Sequence, residues 1–261
     1  MTTMHRLATR ALALGLFAVA SPAHAWWDDV SCKYSAQRSA SIDATGAERV
    51  EILARAGDLA VHPASGATLT GSGKACVSKQ EYLAQTQLRV KRDGNVIRVW
   101  VEAPESFTGF GLFYASLDLT VNVPAHLAVT ITDSSGDVQV DGVKVTRIDD
   151  SAGDVVATNL LGDVEISDSS GDVRVEKVSG SVKISDSSGD VVVHGATAVY
   201  VGSDSSGDIE IEHVAGDVKI DNDSSGDITV RDVGRNLTLV ADASGEVNVS
   251  NVRGVVSLPK D

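Results

Sequence analysis

The chain is poor in basic residues, in cysteine and in aromatic rings, and each shortage removes a class of function. It carries 22 Lys and Arg against 36 Asp and Glu, a formal charge of −14. Such a surface repels phosphate backbones and anionic lipid heads, so nucleic acid is excluded as a partner. Beyond residue 25 no apolar run approaches the roughly 18 residues that cross a bilayer, and no transmembrane segment is expected in the mature chain. Cys32 and Cys76 are the two cysteines. Neither belongs to a CxxC pair or has a histidine beside it, which sets thiol catalysis aside. Phe, Tyr and Trp make up 4% of the residues.

The N-terminus reads as a secretory signal over residues 1–25. Arg6 and Arg10 precede the apolar stretch "ALALGLFAVA", and "SPAHA" supplies small residues for cleavage after Ala25. The arginines are not adjacent, which points to the Sec route. "DDVS" before Cys32 is not a lipobox. Cleavage leaves 20 basic against 36 acidic residues, a charge of −16. In an exported chain, Cys32 and Cys76 are expected to form a disulfide, closing a loop that contributes about 4 kcal/mol in the chain-entropy treatment.

What the chain has in quantity is one short phrase. "DSSGD" or a close variant begins at residues 133, 150, 168, 186, 204, 223 and 242, at intervals of 17 to 19 residues. Within the unit 168–185, Val173 and Val175, then Val178, then Val182 and Ile184 are apolar. Period-two alternation of β-branched residues means strands. A unit this small cannot bury an apolar face alone, and stacking copies of it in parallel makes one continuous core. The fold expected is all-β: a right-handed parallel β-helix of about 18 residues per coil, with two main strands and a short third side around Val178. Seven such coils extend roughly 34 Å.

Parity continues the inward row from Val182 and Ile184 to Asp186, so the first aspartate of each phrase belongs at the corner, accepting turn N–H groups. Gly189 allows a positive φ where the wall bends. Asp190 should face water. Asp137, Asp154, Asp172, Asp190, Asp208, Asp227 and Glu246 are thus expected as an outward acidic ladder, with Asp133, Asp150, Asp168, Asp186, Asp204, Asp223 and Asp242 at the same corners. In "GATAVYVGS", either Tyr200 points inward beside a vacated Gly202, or a one-residue slip turns Val199 and Val201 inward.

Residues 26–132 are less regular. "RVEILARAGDLAVHP", "LRVKRDGNVIRVWVEAP" and "LDLTVNVPAHLAVTIT" alternate as strands, with "RDGN" as a hairpin or corner. They read as irregular coils or a β cap leading into the regular solenoid of 133–261.

"ARAGDLAV", "KRDGNVIRV", "VNVPAHLAVTITDSSGDVQV" and the run of SGDV units resemble the bacterial "putative adhesin" family of unknown function, related to the head-GIN auto-transporter adhesins. The resemblance covers most of the mature chain. It implies an exported β-helical protein and brings no catalytic set. Only "NVRGVVSLPKD" follows the last repeat, too short for a translocator barrel, so a periplasmic location is expected over display on the surface.

No cofactor is expected. Calcium-binding toxin repeats use G-G-x-G-x-D, whereas each corner here has one glycine followed directly by the acid, so calcium should bind weakly and without a specific metal site. Carboxylates that recur with the repeat and are taken as solvated offer no contrast of pKa for glycoside cleavage. His62, His126, His194 and His213 stand alone in sequence, which suits surface or packing roles. The one aromatic concentration is "SFTGFGLFYAS", where Phe107, Phe110, Phe113 and Tyr114 form either a plug on the solenoid or a binding surface for sugar or protein. Trp26 and Trp27 pose the same choice, and a cap over unpaired strand edges suits them. The reading is a non-enzymatic, adhesin-like interaction or scaffold protein of the cell envelope, its partner an envelope protein or polysaccharide. A carbohydrate-binding or carbohydrate-cleaving β-helix is the alternative.

Overall fold

The computed structural model describes residues 32–104 and 113–259. The expected signal peptide, Trp26 and Trp27, and Phe107 and Phe110 lie outside the described residues.

The less regular half contributes β1 (Tyr34–Asp43), β2 (Arg49–Leu53), β3 (Leu59–Ala64), β4 (Thr68–Val77), a short 3₁₀ helix (Gln80–Ala84), β5 (Gln87–Asp93), β6 (Val96–Glu102), β7 (Ala115–Pro124) and β8 (Ala128–Thr132). The repeats then alternate between two walls. One wall takes β9 (Val138–Asp141), β11 (Val155–Thr158), β13 (Val173–Glu176), β15 (Val191–Ala196), β17 (Ile209–Val214), β19 (Ile228–Val233) and β21 (Val247–Val252). The other takes β10 (Val145–Asp149), β12 (Val164–Ser167), β14 (Ser181–Ser185), β16 (Ala198–Ser203), β18 (Val218–Asp223), β20 (Leu237–Asp242) and β22 (Val256–Ser257).

Two eleven-stranded sheets result, ordered β1-β4-β7-β3-β9-β11-β13-β15-β17-β19-β21 and β22-β20-β18-β16-β14-β12-β10-β8-β2-β6-β5. From β9 onward every neighbour is parallel and one coil away, as Val173↔Val191, Val191↔Ile209 and Ile209↔Ile228 show. This is the β-solenoid the repeat predicts. No separate third sheet forms among the described residues. Val178 is instead a buried corner residue, following Lys177 at a φ of 56°.

The stacking order departs from the chain order at the other end. The coil of β2 and β3 lies between the later coil of β6 and β7 on one side and that of β8 and β9 on the other. Antiparallel β1 and β4 extend one sheet past β7, and β5 extends the other past β6. The turn in "RDGN" is the β5–β6 hairpin, with Asp93 opposite Val96 and Gly94 at a φ of 62°. Cys32 and Cys76 are disulfide-bonded, tying the start of the described chain to β4.

One apolar cluster runs through the whole solenoid, from Ala44 to Leu239. Val173, Val191, Ile209 and Ile228 form one fully enclosed inward column, and Val175, Val193, Ile211 and Val230 the next. Val247 and Val249 continue both columns in the last coil, where they are half-buried. In the irregular unit the slip occurs. Val199 and Val201 pair with Val182 and Ile184 and are buried, and the register shifts before Ser203. The inward reading of Tyr200 is overturned: it sits outside between Lys183 and Lys219 and donates its hydroxyl to Asp221. A wall of Val and Ile leaves no inner volume for a phenol ring, and outside the hydroxyl finds a carboxylate.

Candidate functional site

The acidic corner is built from the phrase residue by residue. Its first aspartate points inward. Asp133, Asp150, Asp168, Asp186, Asp204 and Asp223 are all between 0% and 5% exposed. Asp150, Asp168 and Asp186 each accept the N–H of the next residue through Oδ1, at 2.7–2.8 Å, and Asp204 accepts that of Ser206 at 3.2 Å. In these four, Oδ2 is buried without a hydrogen-bond partner. The second serine donates its hydroxyl to a carbonyl of the neighbouring coil, as Ser188 does to Ser169 and Ser170 to Ser151, each at 3.2 Å. Gly189 has a φ of 130°, and a Cβ there would stand 1.9 Å from the Gly171 carbonyl oxygen, so glycine is required twice over.

The last residue of the phrase faces solvent, and it is bonded as well as hydrated. Each aspartate of the ladder accepts the backbone N–H of its counterpart in the next coil. Asp172 takes that of Asp190 at 2.9 Å, Asp190 that of Asp208 at 2.9 Å, and Asp208 that of Asp227 at 2.8 Å. Asp154 receives Asp172, Asp137 receives Asp154, and Asp227 receives Glu246. The ladder reaches into the irregular half through Asp58, which receives Asp137, and Asp118, which receives Asp58. A charge-assisted bond per rung offsets the repulsion between stacked carboxylates.

The corner acids are therefore not uniformly solvated, contrary to the expectation from sequence. Burial pushes Asp168, Asp186 and Asp204 up to about 6 and Asp133 up to about 7, and neighbouring aspartates of the column push further. Asp150 and Asp223 are raised for the same reason. The inner column thus keeps its protons to a higher pH than ordinary carboxylates do.

Of the aromatic candidates, Phe113 and Tyr114 are described. Phe113 packs edge-on against Tyr82, with ring centres 6.5 Å apart, and the Lys79 ammonium stands 4.4 Å from its centroid. The Tyr114 hydroxyl accepts the Lys33 N–H at 2.9 Å. Both side chains make contacts within the chain near the disulfide.

Two constellations escape a reading of the linear sequence. A surface groove of about 360 Å³ is lined by Trp100, Leu53, Arg55, Lys91, Asp93 and Arg98, with Leu53 beside Trp100 on paired strands. On the opposite sheet His194 lies beside Glu212, with Glu210 on the same strand as Glu212. The repeat carried the signal for this neighbourhood, because 194 and 212 are one coil apart.

Residues 37–200, well over half of the chain, match the Toastrack DUF4097 family, and the chain belongs to it. Among solved structures it is similar to a putative lipid binding protein from Parabacteroides distasonis, at 15% identity and a TM-score of 0.51, over 88% of this chain and 96% of that one. It is also similar to a putative cell adhesion protein from Clostridium sporogenes, at 10% identity and a TM-score of 0.40, over 87% and 100% of the two chains. A putative adhesin from Bacteroides fragilis is 10% identical with a TM-score of 0.37, over 85% and 96%. At such identities the likeness is one of fold. No curated protein matches the chain.

Proposed function

We propose that the protein is an exported, non-enzymatic β-solenoid that serves as an adhesin-like interaction or scaffold protein of the cell envelope, in the periplasm. The observation that carries this reading is the repetition of outward side chains, coil after coil, on two broad sheets. Lys183 bonds Glu165 at 2.9 Å and Arg231 bonds Glu212 at 2.7 Å, each across one coil. Such a surface offers a long, regular, stiff face and suits contact with an extended partner. The disulfide suits an oxidising compartment outside the cytoplasm.

The carbohydrate reading rests on the groove at Trp100. An indole face beside Arg55, Lys91 and Arg98 is suited to stacking on a sugar ring while binding its acidic substituents. Co-sedimentation of the mature chain with peptidoglycan sacculi, with extracted envelope polysaccharide and with lipid vesicles separates these readings. The vesicle arm is included because the Parabacteroides relative is described as lipid binding. Saturable binding to an envelope component without release of soluble fragments is expected. Release of shortened glycan would overturn the non-enzymatic reading. Binding to polysaccharide that Trp100→Ala abolishes would favour the alternative.

A further inference from the structure

We propose that His194, Glu210 and Glu212 form a binding site for a single zinc-class divalent metal ion on the outer face of the first sheet. One donor atom from each of the three lies within 4.8 Å of the other two, and all three residues are half-buried. The solenoid register makes the arrangement rigid. His194 on β15 pairs with Glu212 on β17, and Glu210 projects from the same strand two residues away, on the same face.

The state of the imidazole points to an ion. His194 Nε2 is shielded from solvent and has no hydrogen-bond partner. Its nearest carboxylate oxygen, Glu212 Oε2, is 3.8 Å away. That is too long for a hydrogen bond. A tetrahedral zinc with bonds of about 2.0–2.2 Å places two ligands about 3.3 to 3.6 Å apart, so the pair stands a few tenths of an ångström wider than shared coordination and closes onto an ion by a small side-chain rotation. The other oxygen of Glu212 is held by the Arg231 guanidinium at 2.7 Å. This contact fixes the carboxylate and leaves Oε2 toward the histidine, as a supporting residue does around a metal. His213 adds a second imidazole nitrogen 3.8 Å from the same Oε2.

The donor chemistry selects the ion. One imidazole and two carboxylates suit zinc and its transition-metal neighbours, whereas calcium takes six to eight oxygens and no nitrogen. Three protein donors leave a coordination position open on the exposed face, accessible to water or to a donor from a binding partner.

Isothermal titration of the full mature chain with zinc chloride, after chelator treatment and with the disulfide intact, tests the assignment. One ion per chain is expected. His194→Ala should weaken binding at least tenfold, Glu210→Gln and Glu212→Gln should weaken it in the same direction, and His126→Ala should leave it unchanged. Affinity should fall as pH falls, because the imidazole must be neutral to ligate. Melting curves of the metal-free variants show whether each is folded, and His194→Gln serves if the alanine variant is not. A folded wild-type chain that takes up no zinc saturably, or zinc binding unchanged in a folded His194 variant, would overturn the proposal.

Discussion

Replacing one inner aspartate by asparagine should make the solenoid less sensitive to pH, by an amount that follows from its burial. Asp186 is 2% exposed and its carboxyl is pushed from 3.8 up to about 6. A group whose folded pKa lies above its unfolded value binds protons more tightly when folded. Its stabilisation is complete below the unfolded value and is lost as pH rises through the folded one. At about 1.4 kcal/mol per pH unit, the full contribution is about 3 kcal/mol, of which about 1.4 kcal/mol is lost between pH 5 and pH 8. Asp168 and Asp204 act alike, and Asp133, at about 7, acts over a wider range. Acids held low by hydrogen bonds, such as Asp141 by Asn159 and Thr158, work in the opposite sense, but they lose stability only as pH falls below about 4. Urea titrations at pH 5 and pH 8 bracket the range of the inner column, and the difference between wild type and variant cancels the histidines that change charge in the same window. The wild type should be more stable at pH 5, and Asp186→Asn should shrink the difference by about 1.4 kcal/mol while keeping an oxygen for the Ser187 N–H. A wild type more stable at pH 8, or an asparagine variant with an unchanged difference, would refute the reasoning.

Ile211, fully enclosed in the inward column, should not tolerate aspartate. Ile211→Asp should destabilise by about 4 kcal/mol or more and melt neighbouring coils, read by circular dichroism. Gly189→Ala should lower the melting temperature markedly, because the methyl group meets the Gly171 carbonyl and the φ of 130° is strained for alanine. Mass spectrometry of non-reduced mature protein should find the Cys32–Cys76 cross-linked peptide and an N-terminus at Trp26; free thiols at both positions would contradict the disulfide. Millimolar calcium against chelator should raise the melting temperature only slightly. Folding that requires calcium would mean that the outer ladder is a set of defined sites.

Much of the fold was legible because the repeat fixes register. Once Val173 and Val191 stand one coil apart, the inward residues follow by parity down to the buried aspartates wherever the register holds, and the slip that turns Tyr200 outward is where it does not. The environment of those aspartates was less legible. Parity turned Asp186 inward, but whether its carboxyl met water depended on how tightly Gly171 and Gly189 close the corner, which spacing does not express. The outer ladder was visible as a column, while its rung-to-rung bonds depend on the rise from one N–H to the next carboxylate. The N-terminal end was the least legible part. The coil of β2 and β3 is enclosed by strands far along the chain, and alternation identifies a strand without naming its neighbour. His194 looked solitary for the same reason: its partners are neighbours in the coil and not in the sequence.

Carbon-13 NMR titration of the aspartate carboxyls, assigned by single Asp→Asn replacements, tests most directly the division of each corner into a buried acid and a bonded, exposed one. Asp168, Asp186 and Asp204 should titrate near 6 and Asp133 near 7. Titration of all four in the ordinary carboxylate range, at about 4, would contradict the account.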